Sequence, residues 1–413
     1  MSTGVVPGSR MNLWKSLRGL PRDLWLLSVA TLMNRLGMMA LPFLILYLTR
    51  ELHFTPARAG LVFGLYGVGA IVAAPISGWL CDRIGGLPII QASLIGSGLA
   101  LLLFPFANDH TAVVLLTVVW ALINEAGRPA VLTLITDLVP PEQRKPAFAV
   151  QRLAINLGMS VGPAAGGFIA THSFRSIFIV NAASSLAAAA FLFLVPMSVA
   201  AHKHAPHSNV KLSIRASKRP AILEDRRLFV FLIGVFLVAA VFFQHEGALP
   251  LFLVQDLSLS MAFYGMLFTI NTLMIVFLEV PLNAATAHWP HRRGLGLGAA
   301  LFAVGSGMFG LAAGPAMIVA GIVVWTFGEM MLFPQASAYV ADIAPATRRG
   351  EYMGAYSMAF SSAFAAAPGA GAWLFQQYGG PMVWGIVFVV GLIAAATMSL
   401  VSSEEPTPAP AAA

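Results

Sequence analysis

The chain has 413 residues, 58% of them hydrophobic and only 10% charged, with a mean hydropathy of +0.81. A soluble protein of this length needs far more charged surface, so the composition excludes an ordinary globular fold and points to a bilayer. The net charge of +7 invites a nucleic-acid reading, which the placement of the basic residues removes below.

Twelve apolar stretches are expected as membrane spans, near 24–48, 57–81, 88–107, 111–138, 147–170, 174–198, 228–255, 261–286, 294–313, 315–342, 351–378 and 381–402. The first is longer than a signal-peptide core and lacks a small-residue cleavage site, so it stays as a span. No run alternates polar and apolar residues as the strands of a membrane barrel do. Between the sixth and seventh spans lies the longest polar stretch, Ala201 to Arg227, rich in His, Lys, Ser and Arg. The expected organisation is an N-terminal segment 1–23, a six-helix bundle 24–198, a central linker 199–227, a second bundle 228–402, and a Pro/Ala-rich disordered tail 403–413. The lone Cys81 excludes an internal disulfide and a multi-cysteine metal site.

Orientation follows from the Lys and Arg residues. With the N-terminus in the cytoplasm, the inner segments hold 18 of the 24, among them Arg83, Arg144, Lys145, Arg226, Arg227, Arg292, Arg293, Arg348 and Arg349. The outer loops hold only Arg50, Arg58 and Arg175. Both termini are expected inside, in a bacterial cytoplasmic membrane. The high charge is then an orientation signal, and no nucleic-acid partner is expected.

The two halves repeat at an offset of 205 residues. Pro129, Asp137, Pro140, Arg144, Pro163 and Gly166 are matched by Pro334, Asp342, Pro345, Arg349, Pro368 and Gly371. Six positions in one gap-free register imply parallel repeats of six spans, with a substrate path between them near the midplane.

Between the second and third spans stands Gly78-Trp79-Leu80-Cys81-Asp82-Arg83-Ile84-Gly85. It resembles the Gly-x-x-x-Asp-Arg-x-Gly loop of the major facilitator superfamily, and span count, linker and repeat extend the resemblance over nearly the whole chain. The usual Arg-Lys continuation is replaced by Gly86-Leu87-Pro88, and the second-half copy carries Ala287 where the acid belongs. The resemblance implies a conformational latch of Gly78, Asp82, Arg83, Gly85 and Asp137. Arg83 would pair with Asp137, and Asp82 would meet the start of the eleventh span near Gly350. The fifth span reads Asn156-Leu157-Gly158, then Gly162-Pro163-Ala164-Ala165-Gly166-Gly167. This is similar to the Gly-Pro-x-x-Gly-Gly motif of proton-coupled antiporters, chiefly drug exporters, although the fourth-span arginine of that group is replaced by Thr117. Read from its residues alone, the segment packs helices closely and bends at Pro163.

Ionisable residues inside spans are functional candidates by default. The family pattern puts the first, fourth, seventh and tenth spans around the cavity, which selects Arg35, Glu125, Arg128, Glu246 and Glu329. Arg152 and Glu279 lie on other spans. Glu125 and Arg128 share a helix face and can pair. Arg35 needs a partner across the bundle, such as Glu125, or a wet cavity. Arg152, one turn from Asn156, could reach the fourth span, which leaves a packing role and a transport role equally open. The halves are electrically opposite, with Arg35, Arg128 and Arg152 in the first and Glu246, Glu279 and Glu329 in the second. An acid that gains and loses a cationic neighbour as the halves move can bind and release a proton. Glu246, Glu329 and Glu125 are the main candidates, with His245 beside Glu246.

The expectation is a monomeric, proton-coupled antiporter that exports small amphipathic compounds, without cofactor, metal or catalytic residues. A symporter for a sugar, peptide or organic anion is the alternative within transport; a membrane enzyme or a receptor is the alternative outside it. No glycine loop before a lysine supports ATP hydrolysis.

Overall fold

The structure, a computed structural model, describes residues 19–107, 109–140, 143–197, 225–345 and 348–401. These residues contain no strand, and ten helical stretches are long and apolar enough to cross a membrane. The last, Arg349–Ser399, is 51 residues or about 75 Å of helix, and so crosses twice. It turns at Gly379, whose φ of 73° and ψ of 171° suit glycine alone. The ninth span, His291–Gly310, starts with three basic residues and completes the set of twelve.

The second, fourth, fifth and tenth spans are Pro56–Ile84, His110–Leu138, Arg144–Ala170 and Pro315–Ile343, close to the expected limits. The sixth, Phe174–Leu194, stops short of residue 198, and the eighth is Met261–Thr286. The expected N-terminal segment, linker and tail lie outside the described residues, apart from residues 19–23 and Asp225 to Arg227.

Two spans depart from the expected continuous helix. The first is split into Arg22–Leu36 and Ala40–Arg50. Pro42 has no N–H to donate and is tolerated only in the first turn of the second piece. In a bilayer the N–H groups freed by such a break need partners. Asn181 of the sixth span supplies them: its Oδ1 accepts from Met39 N–H at 3.3 Å and Ala40 N–H at 3.1 Å. The seventh span breaks after Phe242, passes through a 3-10 turn at Phe243–His245, and resumes at Ala248. Gln244 bridges this gap by donating to the Ala367 carbonyl at 2.8 Å. The two breaks stand at nearly equivalent positions of the 205-residue repeat, so the repeat is structural as well as sequential.

Within the first half, the first span packs on the fifth and sixth, and the fourth on the second and third. The second half repeats this, the eighth span packing on the tenth and the ninth on the tenth and twelfth. The halves touch along two flanks, both by close backbone approach. On one flank a Cβ on Gly60 would stand 2.8 Å from Gly369 Cα, and one on Gly64 would stand 2.8 Å from the Ala365 carbonyl. Farther along these helices, toward Arg83 and Arg349, Gly78, Gly350 and Gly354 face open space and Met358 is exposed. At these positions the second and eleventh spans make no close backbone approach of the kind seen at Gly60 and Gly64. On the other flank the fifth and eighth spans run antiparallel and stay together much longer. Gly167 lies against Met261, Pro163 against Gly265, Ser160 accepts from Thr269 Oγ1 at 2.5 Å, and Arg152 meets Glu279. The molecule is closed at the end away from Arg83 and opens at the basic end.

Candidate functional site

Broken spans at corresponding places in two repeats mark the site of a transporter, because irregular backbone is tolerated only where it lines a cavity or is buried in protein. A cavity of about 180 Å³ opens beside the seventh-span break. Its walls come from the fifth, seventh, eighth and tenth spans. Phe242, Tyr264, Phe268 and Trp325 give it an aromatic body, and Glu246, Glu329, Asn156 and Asn271 give it polar points. Phe242 stacks on Trp325 with ring centroids 5.1 Å apart, so this wall is a packed aromatic plate. No lysine or arginine lines it.

Glu246 sits where the helix is interrupted. Its Oε1 is 3.8 Å from His245 Nε2, and its buried Oε2 has no hydrogen-bond partner among the described residues. His245 Nδ1 is 2.7 Å from the Phe242 carbonyl, which places the ring hydrogen on Nδ1. Tyr264 donates to the His245 carbonyl at 2.9 Å and so fixes the frayed turn. Glu329 Oε2 accepts from Asn271 at 2.7 Å, and the same amide reaches Thr326 at 3.0 Å. Both acids face the cavity without a cation in contact.

The first-half acid is arranged differently. Glu125 Oε1 accepts from Tyr66 at 2.7 Å and from Asn124 at 3.1 Å, while Oε2 lies 3.6 Å from Arg128. Asn124 also donates to the Tyr66 hydroxyl at 2.8 Å, closing a three-residue ring. The expected Glu125–Arg128 pair is present, with Arg128 itself largely exposed.

Two arginines stand apart from the fourth-span contacts considered for them. Arg35 has no carboxylate within ion-pair distance among the described residues; its guanidinium rests on the Met38 sulfur, with Arg128 and Glu125 acting on it from farther away. The break explains this placement. Arg35 is in the last turn of the first half-helix, where free carbonyls favour a cation. Arg152 does not reach the fourth span but crosses to the other half, its Nη2 2.5 Å from Glu279 Oε1. Its position on the fifth span faces the eighth, which the helical register alone does not reveal.

A sequence profile of the Major Facilitator Superfamily matches residues 27–260 and 246–413, nearly the whole chain. The chain belongs to the Major Facilitator Superfamily. It is a multi-pass membrane transporter. A Na(+), Li(+), K(+)/H(+) antiporter of Planococcus maritimus is 24% identical, over 81% of this chain and 85% of the relative. The quinolone resistance protein NorA of Staphylococcus aureus is 29% identical over 34% of this chain and 36% of its own. Among solved structures, a POT family transporter crystallised with 5-aminolevulinic acid shares the fold with a TM-score of 0.73 at 17% identity, covering 91% of this chain and 95% of its own.

The superfamily loop takes a clear local form. Gly85, with φ 86°, makes the one-residue turn from the second span into the third, a conformation that favours glycine. Arg83 lies over Trp79, 3.9 Å from the ring centroid, rather than on Asp137. Asp82 is exposed, and a Cβ on Gly350, at the start of the eleventh span, would meet nothing within 4 Å. In the second half Asp342, the repeat mate of Asp137, is 3.0 Å from His291 Nε2.

The Gly-Pro segment of the fifth span has two faces. Gly158, Gly162 and Gly166 receive the broken first span: a Cβ on Gly162 would stand 2.6 Å from the Arg35 carbonyl, one on Gly166 2.5 Å from Met39 Cβ, and one on Gly158 would collide with Arg35. Pro163 and Gly167 turn the other way, onto Gly265 and Met261 of the second half. Sequence reasoning that followed charge alone missed Tyr66, Asn124, Asn181 and Asn271. Their signal was available, since each is a polar residue within an apolar run.

Proposed function

We propose that this transporter exports small amphipathic compounds in exchange for protons, by alternating access between the halves 24–198 and 228–402. The observation that carries the proposal is the pair Glu246 and Glu329. Both face one aromatic cavity at the junction of the halves, with no cation in contact. A proton neutralises such an acid at the cost of no new partner, and its release leaves a site for substrate. The aromatic wall offers stacking area to a ligand with a flat apolar body. The Gly-Pro-x-x-Gly-Gly segment and the two named relatives favour export by antiport over symport.

In this reading the basic end is cytoplasmic, both termini are inside a bacterial cytoplasmic membrane, and the chain works as a monomer. With no close approach of the second and eleventh spans at that end, this is the inward-open state. Asp82 and Arg83 engage when that end closes, and release as it opens. The test is transport in inside-out vesicles from a host stripped of its own exporters. Uptake of amphipathic compounds should rise when the lumen is made acid and collapse when the gradient is removed. Uptake driven by an alkaline lumen would establish symport instead, and no movement of any solute would overturn transport by this route.

A further inference from the structure

At the basic end, on the outer surface of the second half and away from the cavity, a groove of about 550 Å³ lies between the ninth and twelfth spans. Its mouth carries Arg292 and Arg293, its floor Gly296 and Ala300 of the ninth span, and its far wall Ala396 and Ser399 of the twelfth. The two arginines are in the first turn of the ninth span, which starts after Pro290 without a side-chain cap. Two other arginines of this end have local partners: Arg227 is 3.7 Å from Asp225, and Arg348 is 2.9 Å from Glu351. Arg292 and Arg293 form no ion pair among the described residues, and Arg293 is held over the Trp289 ring at 4.1 Å. Two exposed, uncompensated cations thus stand above a slot walled by small residues. The slot runs into the apolar girdle, where Leu297, Ile393 and Leu400 are exposed.

We propose that this groove binds one anionic phospholipid of the leaflet at the basic end. The phosphate sits between Arg292 and Arg293 at the ninth-span N-terminus, and an acyl chain lies along Gly296, Ala300 and Ala396. Charge and shape select that occupant. A guanidinium pair at the positive end of a helix suits a phosphate, and a cleft floored by glycine and alanine suits a hydrocarbon chain. A soluble phosphate would use the mouth and leave the slot unfilled. A zwitterionic lipid brings its own ammonium to a site that already holds two cations.

The test is lipid retention by the purified full chain, measured by native mass spectrometry during titration with phosphatidylglycerol or phosphatidylcholine. The wild type should retain phosphatidylglycerol preferentially. Each of Arg292→Gln and Arg293→Gln should weaken that retention about five-fold, and the double variant about twenty-five-fold, while phosphatidylcholine is unaffected. Ala396→Leu, which fills the slot and leaves the charge alone, should weaken it as well. Arg226→Gln, a control at the same end but outside the groove, should change nothing. Equal retention by the double variant and the wild type overturns the proposal. So does displacement of the lipid by millimolar inorganic phosphate, which would make the mouth a site for the free anion.

Discussion

Glu125 and Glu246 make an instructive pair. Their side chains are 10% and 12% exposed, Glu125 within the fourth span and Glu246 at the break in the seventh. Yet Glu125 has Tyr66 and Asn124 on one oxygen and Arg128 near the other, whereas Glu246 Oε2 has no partner among the described residues. The same residue type at the same burial therefore stands in two environments. The first acid holds a polar ring together. The second is left available, in a cavity, at a break in the backbone. Charge in a span marks both, and only the partners separate them.

The most damaging change should be at the available acids. Glu246→Gln, and separately Glu329→Gln, should reduce pH-driven transport to background while exchange of substrate down its own gradient survives, because the amide keeps size and hydrogen bonding but cannot titrate. Flux assays with and without an imposed gradient separate the two activities.

A smaller effect is expected at the cross-half tie. Arg152→Gln or Glu279→Gln should shift the balance between the two states by about 1–2 kcal/mol, a five- to thirty-fold change, since Glu279 is largely buried and Arg152 is half exposed. The charge-swapped double variant, Arg152→Glu with Glu279→Arg, should recover most of the loss. Accessibility labelling of cysteines on the second and eleventh spans reads the balance, and no recovery would show that the pair is not a tie.

Glu125→Gln should cost stability before it costs coupling. Losing the acid weakens the Tyr66–Asn124 ring by about 1–3 kcal/mol, discounted on the Arg128 side because that arginine is exposed. Thermal denaturation of the purified variant should show the shift, and the surviving protein should remain coupled per molecule. The smallest change is expected for Asp82→Asn, a two- to five-fold loss of transport at normal abundance, in keeping with the ~1 kcal/mol ceiling for exposed ion pairs. Quantitative immunoblots beside flux measurements check both parts.

Most of the fold was legible because bilayer thickness sets span length and the repeat fixes register. The expected limits of the second, fourth, eighth and tenth spans lie within three residues of the observed ones. The breaks were not legible. Residues 24–48 were expected as one span, and the break there is sustained by Asn181, far away in the sequence, which accepts the freed N–H groups. The site was legible as a set of charges but not as a set of partners. Arg152 and Glu279 were both named, yet their meeting depends on how the fifth and eighth spans lie against each other, and no single-helix pattern encodes that. Gly166 shows the same limit: its motif implies close helix packing without naming the neighbour, and the structure sets it on Met39 while Pro163 and Gly167 face the second half.

The most direct test of the account is proton movement itself. Purified protein reconstituted with a pH-sensitive dye in the lumen, and challenged with a panel of amphipathic compounds, should show substrate-dependent proton flux for the wild type and for Glu125→Gln, and none for Glu246→Gln. Undiminished proton flux in Glu246→Gln and in Glu329→Gln would contradict the assignment of coupling to the second-half cavity.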